Sequence, residues 1–300
     1  MSLKTSGIYS PCNLTVPVKS LSKPIHLAVI GDLHRDAPGF SKRAWAHHVR
    51  KLKSLDNLYG ILIGDYNDFA STSERHATRD LHESTLKTMD HNAISATERV
   101  AKDLEACNFK GFLFALNGNH VWNFETNHLA AHGTAALQER GYPIVADTDH
   151  LLAHMLGTTC PGVMTICNLT MDYNGGQTSL KICAAHGKGG GSTVGASLNP
   201  IEKMAGNMEA DIYIQGHTHQ MAAAKRVRIM LRNNKTVHRP LTLIRNGAFL
   251  KAYEDGEPNH VVDSMMTPSY LGGSIIRLDL FRDKEKDGTK TLAVEQMVMF

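Results

Sequence analysis

Five short apolar runs, each stopped by a polar cluster containing glycine, constrain this chain more than any other feature. Residues 24–30 (PIHLAVI) run into Gly31-Asp32-Leu33-His34, and 58–63 (LYGILI) into Gly64-Asp65-Tyr66-Asn67-Asp68. Residues 111–116 (GFLFAL) run into Asn117-Gly118-Asn119-His120, 180–185 (LKICAA) into His186-Gly187, and 211–215 (DIYIQ) into Gly216-His217-Thr218-His219. Runs of this length, rich in β-branched and aromatic residues and closed by glycine, predict buried strands.

Helical patterns lie between them. Ser41 is the expected N-cap of a helix over 42–55, with Trp45, Val49 and Leu52 on one stripe. Residues 79–107 predict one or two surface helices, 127–140 another, and 200–208 a further helix with Pro200 at its first position. Beyond residue 220 the texture becomes strand-like. Val227, Ile229 and Leu231 alternate with Arg226, Arg228 and Arg232, and 274–280 with 291–300 form a hairpin around Asp287-Gly288. A chain that is βα-alternating first and β-rich later predicts an α/β fold of two packed sheets with helices outside. With no linker-like stretch or repeat, residues 1–300 read as one domain, with a core over about 24–282, a helical insertion over about 70–107 and a terminal hairpin over 274–300.

Ligands of layered α/β folds bind beyond the carboxyl ends of the strands. Here five such ends deliver Asp, Asn or His, the residue types a metal site needs. If the backbone continues extended, Asp32 and His34 point the same way, as do His217 and His219. The glycines at 31, 64, 118 and 216 are expected to let the chain turn after each strand. Carboxylate, amide and imidazole together suit Mn, Fe or Zn better than Ca or a thiolate site. A single Gly-Asp or Asp-x-His is more often a plain turn, but five such clusters in order are hard to obtain by chance.

The series Asp32-x-His34, Gly64-Asp65-x-x-Asp68, Gly118-Asn119-His120, His186 and Gly216-His217-x-His219 resembles the signature of the calcineurin-like metallophosphoesterases. The stretch from His186 to Gly191 is also similar to members found in bacteriophages and prophages. The resemblance implies a four-layer α/β/β/α sandwich and two divalent ions, Mn first, with Fe, Zn or Ni as substitutes. One ion would take Asp32, His34, Asp65 and His219; the other Asp65, Asn119, His186 and His217, so that Asp65 is shared. His120 would stand by the leaving group as a proton donor, oriented by Asp68. A water activated between the ions would attack phosphorus, with no covalent nucleophile. Where the family often has an acid after Gly-Asn-His, this chain has Val121, and Glu125 is the candidate substitute.

The substrate expected on this resemblance is a phosphodiester of nucleotide or nucleic-acid type. The alternatives are a phosphomonoesterase or protein phosphatase, a nuclease subunit, and a scaffold that binds a phosphorylated partner without turnover. Residues 187–193 (GKGGGST) look like a phosphate-binding P-loop, but the lysine is not followed by Ser or Thr in the required place. Lys188 and Arg35 are the candidate contacts to substrate phosphate. The Arg226, Arg228 and Arg232 face reads as a solvated strand edge in preference to a nucleic-acid grip. A net charge of +3 is too small to demand a polyanionic partner. Five scattered cysteines favour free thiols over a disulfide framework, and no run of about 18 or more apolar residues predicts a membrane span. The expected location is the cytoplasm.

Overall fold

Eleven strands and five helices follow one another in the computed structural model, which describes residues 10–69, 82–124, 130–189, 193–232, 234–253, 262, 265, 267–284 and 290–300. Residues 70–81, Glu125, 190–192 and 285–289, where the hairpin turn at Asp287-Gly288 is expected, lie outside the described residues. The first sheet has the order β11(Lys290–Met299), β10(Ile275–Lys284), β2(Ile25–Ile30), β3(Leu58–Leu62), β4(Phe112–Ala115). The second has the order β1(Cys12–Pro17), β5(Met164–Tyr173), β6(Gly176–Ala185), β7(Ile212–Gln215), β9(Lys235–Arg245), β8(Ala222–Arg232). Both sheets are mixed. Strands β2, β3 and β4 are parallel to each other, as are β6, β7 and β9. Each sheet therefore sends the carboxyl ends of three neighbouring strands to one edge.

The apolar core sits between the sheets. Leu27, Val29, Ile61, Ile63 and Leu113 of one sheet pack with Leu169, Ile182, Ile214 and Ile244 of the other, all at most 3% exposed. Burying each such side chain contributes roughly 1.5–3 kcal/mol. Alternate residues of the first sheet (Ala28, Ile30, Leu58, Leu62) face the outer layer of α1(Lys42–Lys53), α2(Glu83–Glu105) and α4(Thr148–Met155). On the opposite outside, α5(Val194–Asn207) places Ile201, Met204 and Ala205 on Cys183, Tyr213 and Leu243. Helix α3(Ala130–Glu139) joins α2 and α4 around Trp122 and Phe124. This is an α/β/β/α sandwich of four layers.

Local chemistry explains the helix ends. Ser41 caps α1 by accepting from the Ala44 amide, and the buried stripe is Trp45, His48 and Leu52, with Val49 half-buried beside it. Residues 83–105 form one helix. Pro200, expected at a first helical position, instead lies inside α5, which starts at Val194 under a Thr193 cap. Thr193 is the stronger start signal, because its hydroxyl satisfies the Ala196 amide, while Pro200 only removes one hydrogen bond a turn later. Strands β1 and β5 and helix α4 were not expected from the sequence.

Candidate metal centre

The polar clusters after β2, β3, β4, β6 and β7 meet at one edge of the sandwich, and two sets of ligand atoms form there. Asp32, His34 and His219 make one, and Asp65, His186 and His217 the other, the atoms of each lying within 4.8 Å of one another. Asp65 stands between them. Its Oδ2 is 3.1 Å from His186 Nε2 and 4.0 Å from His34 Nε2. Its Oδ1 accepts from the Asn119 and His120 amides at 2.8 and 2.9 Å, fixing the carboxylate from behind. Asn119 Oδ1 joins the second set, 2.9 Å from His186 Nε2 and 2.8 Å from His217 Nδ1. His219 Nε2 is 3.6 Å from Asp32 Oδ1, and Asp32 also accepts from the His217 amide at 3.0 Å.

The backbone achieves this convergence by an unexpected route. Asp32, His34, Asp65, His217 and His219 all have positive φ, between 44° and 72°, so the segments after the strands are left-handed and not extended. This conformation is uncommon for residues other than glycine and costs energy that neighbouring contacts must offset. Five such residues at one edge mark the place where packing is subordinate to side-chain aim. The glycines act differently from expectation too. Of 31, 64, 118 and 216, only Gly64 has positive φ; Gly118 and Gly216 are required by close approach. A Cβ on Gly118 would lie 2.0 Å from Asp65 Oδ1, and one on Gly216 would lie 2.5 Å from Asp32 Oδ2.

The electrostatics are those of a cluster built for cations. Burial raises Asp32 to about 6, with the nearby Asp65 carboxylate adding to the rise. For His186, burial acts downward but is outweighed by Asp65, and the net result is up to about 9. Burial and then the His186 charge press His217 down to about 4. His34 Nε2 is buried without a hydrogen-bond partner, while its Nδ1–H donates to Asp68 Oδ1 at 2.8 Å. His186 is likewise anchored through Nδ1–H, which donates to the Ile63 carbonyl at 2.8 Å, while its Nε2 faces Asp65 and Asn119. Anchoring one ring nitrogen and aiming the other into a carboxylate cluster is how imidazoles are set to ligate. The donor set fits divalent cations.

Other expected site residues stand as follows. His120 is buried; its Nδ1–H donates to the Phe69 carbonyl at 2.8 Å, and Asp68 Oδ1 is 3.4 Å away. Asp68 is thus closer to His34 than to His120, and a third ligand group, His34, Asp68 and His120, results. Arg35 does not present itself for phosphate: its Nε–H donates to Asp103 Oδ2 at 2.7 Å, and its guanidinium stacks over Phe40. Lys188 is exposed on the segment after β6. Val121 is buried, where a carboxylate would be costly. Arg226 pairs with Glu202, and Arg228 donates to the Ala205 carbonyl, so both are turned onto α5.

No family model matches the chain, and no curated protein matches it. Among solved structures it is similar to Vps29 of Chaetomium thermophilum, at 13% identity over 91% of this chain and 96% of that one, with a TM-score of 0.34. Wild-type Vps29 of Entamoeba histolytica complexed with zinc is 10% identical, over 91% and 99% of the two chains, with a TM-score of 0.35. A predicted phosphoesterase of Streptococcus pneumoniae is 12% identical, over 91% and 98%, with a TM-score of 0.30. At these TM-scores none of the three bears on what this chain does. The ligand geometry must carry that alone.

Two supporting residues escaped the sequence reading. Arg245 is fully buried at the end of β9, donating to the Ser197 carbonyl at 2.9 Å and the Gly216 carbonyl at 2.7 Å. It ties the His217 loop to α5, and its signal was another apolar run (LTLI) ending in Arg245-Asn246-Gly247. Asp149 Oδ2 accepts from the Gly118 amide at 2.9 Å and holds the Asn119 loop against Asp65. Nothing in sequence spacing links Asp149 to Gly118.

Proposed function

We propose that this chain is a two-metal phosphoesterase, acting as a single domain on phosphodiesters of nucleotide or nucleic-acid type. The observation that carries the reading is the position of Asp65 Oδ2 between the two imidazole-rich ligand groups. Asp32, His34, Asp65 and His219 would hold one cation, and Asp65, Asn119, His186 and His217 the other, with Mn the first choice for such hard and borderline donors. When bound, a pair of divalent cations supplies charge for the phosphoryl oxygens and lowers the pKa of a bound water.

The chain's own groups supply the rest. With Nδ1–H given to Phe69, His120 keeps Nε2 as its proton-carrying atom. Burial and then His34 lower its pKa, while Asp65 and Asp68 oppose them. An anionic phosphate beside the ring adds to that opposition and favours the imidazolium that a departing alkoxide needs. Five free cysteines fit a reducing compartment such as the cytoplasm, and no helix among the described residues is long and apolar enough to cross a membrane.

The test is turnover of bis-p-nitrophenyl and mono-p-nitrophenyl phosphate by protein loaded with Mn²⁺. Diester turnover is expected to dominate. His120→Ala should retain metal and lose rate most with poor leaving groups, by about 10²–10⁴-fold. Monoester preference would reassign the chain as a phosphomonoesterase, and full metal loading without turnover of either ester would end the hydrolase reading.

A further inference from the structure

A cavity of about 470 Å³ adjoins the candidate metal centre through His219. Its walls come from the start of α1 (Ser41 and Arg43), the segment after β9 (Ala248 to Ala252) and the segment before β10 (Thr267 to Leu271). These segments are tied together by backbone bonds. The Ser41 amide donates to the Phe249 carbonyl, Lys251 to Gly39, and Gly272 to Ala248, at 2.8–2.9 Å. The Gln220 side chain, next to His219, donates to the Thr267 carbonyl at 2.9 Å. The cavity is therefore held open by the fold, and its volume is that of a small-ligand site.

Its chemistry is that of an anion receptor with apolar walls. Among the described lining residues the cations are Arg43 and Lys251. Arg43 has no ion-pair partner among the described residues, and α1 carries no acid in its first turn. A cation there opposes the helix dipole and costs stability, so its placement needs another reason. The two lining serines add donors. Ser41 Oγ already accepts from the Ala44 amide and Ser269 Oγ from the Met221 amide, both at 3.3 Å, which leaves each O–H to donate. Ala248, Leu250, Ala252 and Pro268 form the apolar part of the wall.

We propose that this cavity holds the portion of the substrate that is not attacked, and that this portion carries a second phosphate. The inference rests on the phosphoesterase reading and sharpens it: the preferred ester has one phosphoryl group at Asp65 and another at Arg43, with the Ser41 and Ser269 hydroxyls beside it. The probes are thymidine 5'-(p-nitrophenyl phosphate) and the same ester bearing a 3'-phosphate, which share a leaving group and differ in one anionic group. With Mn²⁺-loaded protein, the 3'-phosphorylated ester is expected to have a kcat/KM higher by roughly tenfold or more, through KM, as charge-assisted hydrogen bonds to phosphate imply. In Arg43→Gln that ratio should fall toward one, with Mn²⁺ content confirming that the variant is folded. Equal kcat/KM for the two esters in the wild type would overturn the proposal, as would an unchanged ratio in Arg43→Gln. If neither ester is turned over, the phosphoesterase reading fails and calorimetric binding decides the cavity separately. Tighter binding of the 3'-phosphorylated ester that is lost in Arg43→Gln would sustain the second-phosphate site; equal binding of both would refute it.

Discussion

Replacing Gly118 by alanine adds one methyl group to the loop that supports Asp65. The new Cβ would lie 2.0 Å from Asp65 Oδ1 and 2.3 Å from the Asp65 amide nitrogen, whereas ordinary van der Waals contact begins at 3.4 Å. The deficit at the carboxylate is 3.4 less 2.0, or 1.4 Å. Neither neighbour is the free end of a long side chain. Asp65 is 2% exposed, and Oδ1 is already held by two amides, so the carboxylate and the loop must separate. Overpacking of this kind costs about 1–3 kcal/mol, enough to lower the Tm of the metal-free protein by a few degrees. The effect on metal should be larger in proportion. Ligand distances are tolerated within roughly 0.2 Å, and disturbing a ligand's support weakens metal binding about 10–100-fold. Gly111→Ala is the control, since nothing lies within 4 Å of a Cβ there. Mn²⁺ titrations by calorimetry, with thermal denaturation in EDTA, should show both ions weakened in Gly118→Ala and neither in Gly111→Ala. Wild-type affinity and stoichiometry in Gly118→Ala would refute the claim that this glycine exists to admit the Asp65 carboxylate.

Two pH effects follow from buried imidazoles. His48, packed against Trp45 and Phe249, is lowered to about 4 by burial, with Lys51 and His47 adding to the fall. Its unfolded value is near 6.5, so stability is fully present above that pH and is lost as pH falls toward 4; between pH 7.5 and 5 this amounts to ~2 kcal/mol. His48→Leu should remove that dependence in urea unfolding, and an unchanged pH profile would show that another group is responsible. At the candidate metal centre the direction is set by His186, which Asp65 raises to about 9 against the effect of burial. Metal must displace its proton at neutral pH, so apparent Mn²⁺ affinity should rise with pH up to that value, by at most about tenfold per unit for each proton released. Calorimetry in buffers of different ionisation enthalpy reads the release directly; identical heats in all buffers would contradict it.

The sheet edge was legible in the sequence because its signals are local. An apolar run closed by Gly and Asp, Asn or His identifies a strand end wherever it occurs, and the parallel pairing of β2 with β3 and of β6 with β7 brings those ends together. What escaped is what depends on the third dimension. Strand β1 has exposed alternate residues and is defined only by its register against β5, residue for residue from Cys12 on Cys167. The left-handed backbone at Asp32, His34 and His219 cannot be read from residue type, since an extended chain would also have aimed Asp32 and His34 to one side. The Asp68 position shows the same limit. Its spacing suits support of His120, yet the closer partner is His34, because the turn after Asp65 brings the carboxylate across the Asp32 loop. Arg35 illustrates the converse, a cation beside a metal-type motif that is instead used by an acid on α2.

Diffraction from crystals grown with Mn²⁺, recorded at the manganese absorption edge, locates the cations without reference to activity. Two anomalous peaks are expected, both within bonding distance of the Asp65 carboxylate. One should lie toward Asp32, His34 and His219, and the other toward Asn119, His186 and His217. A single peak would contradict the shared carboxylate, and so would a cation held by His34, Asp68 and His120, the third group within ligand reach.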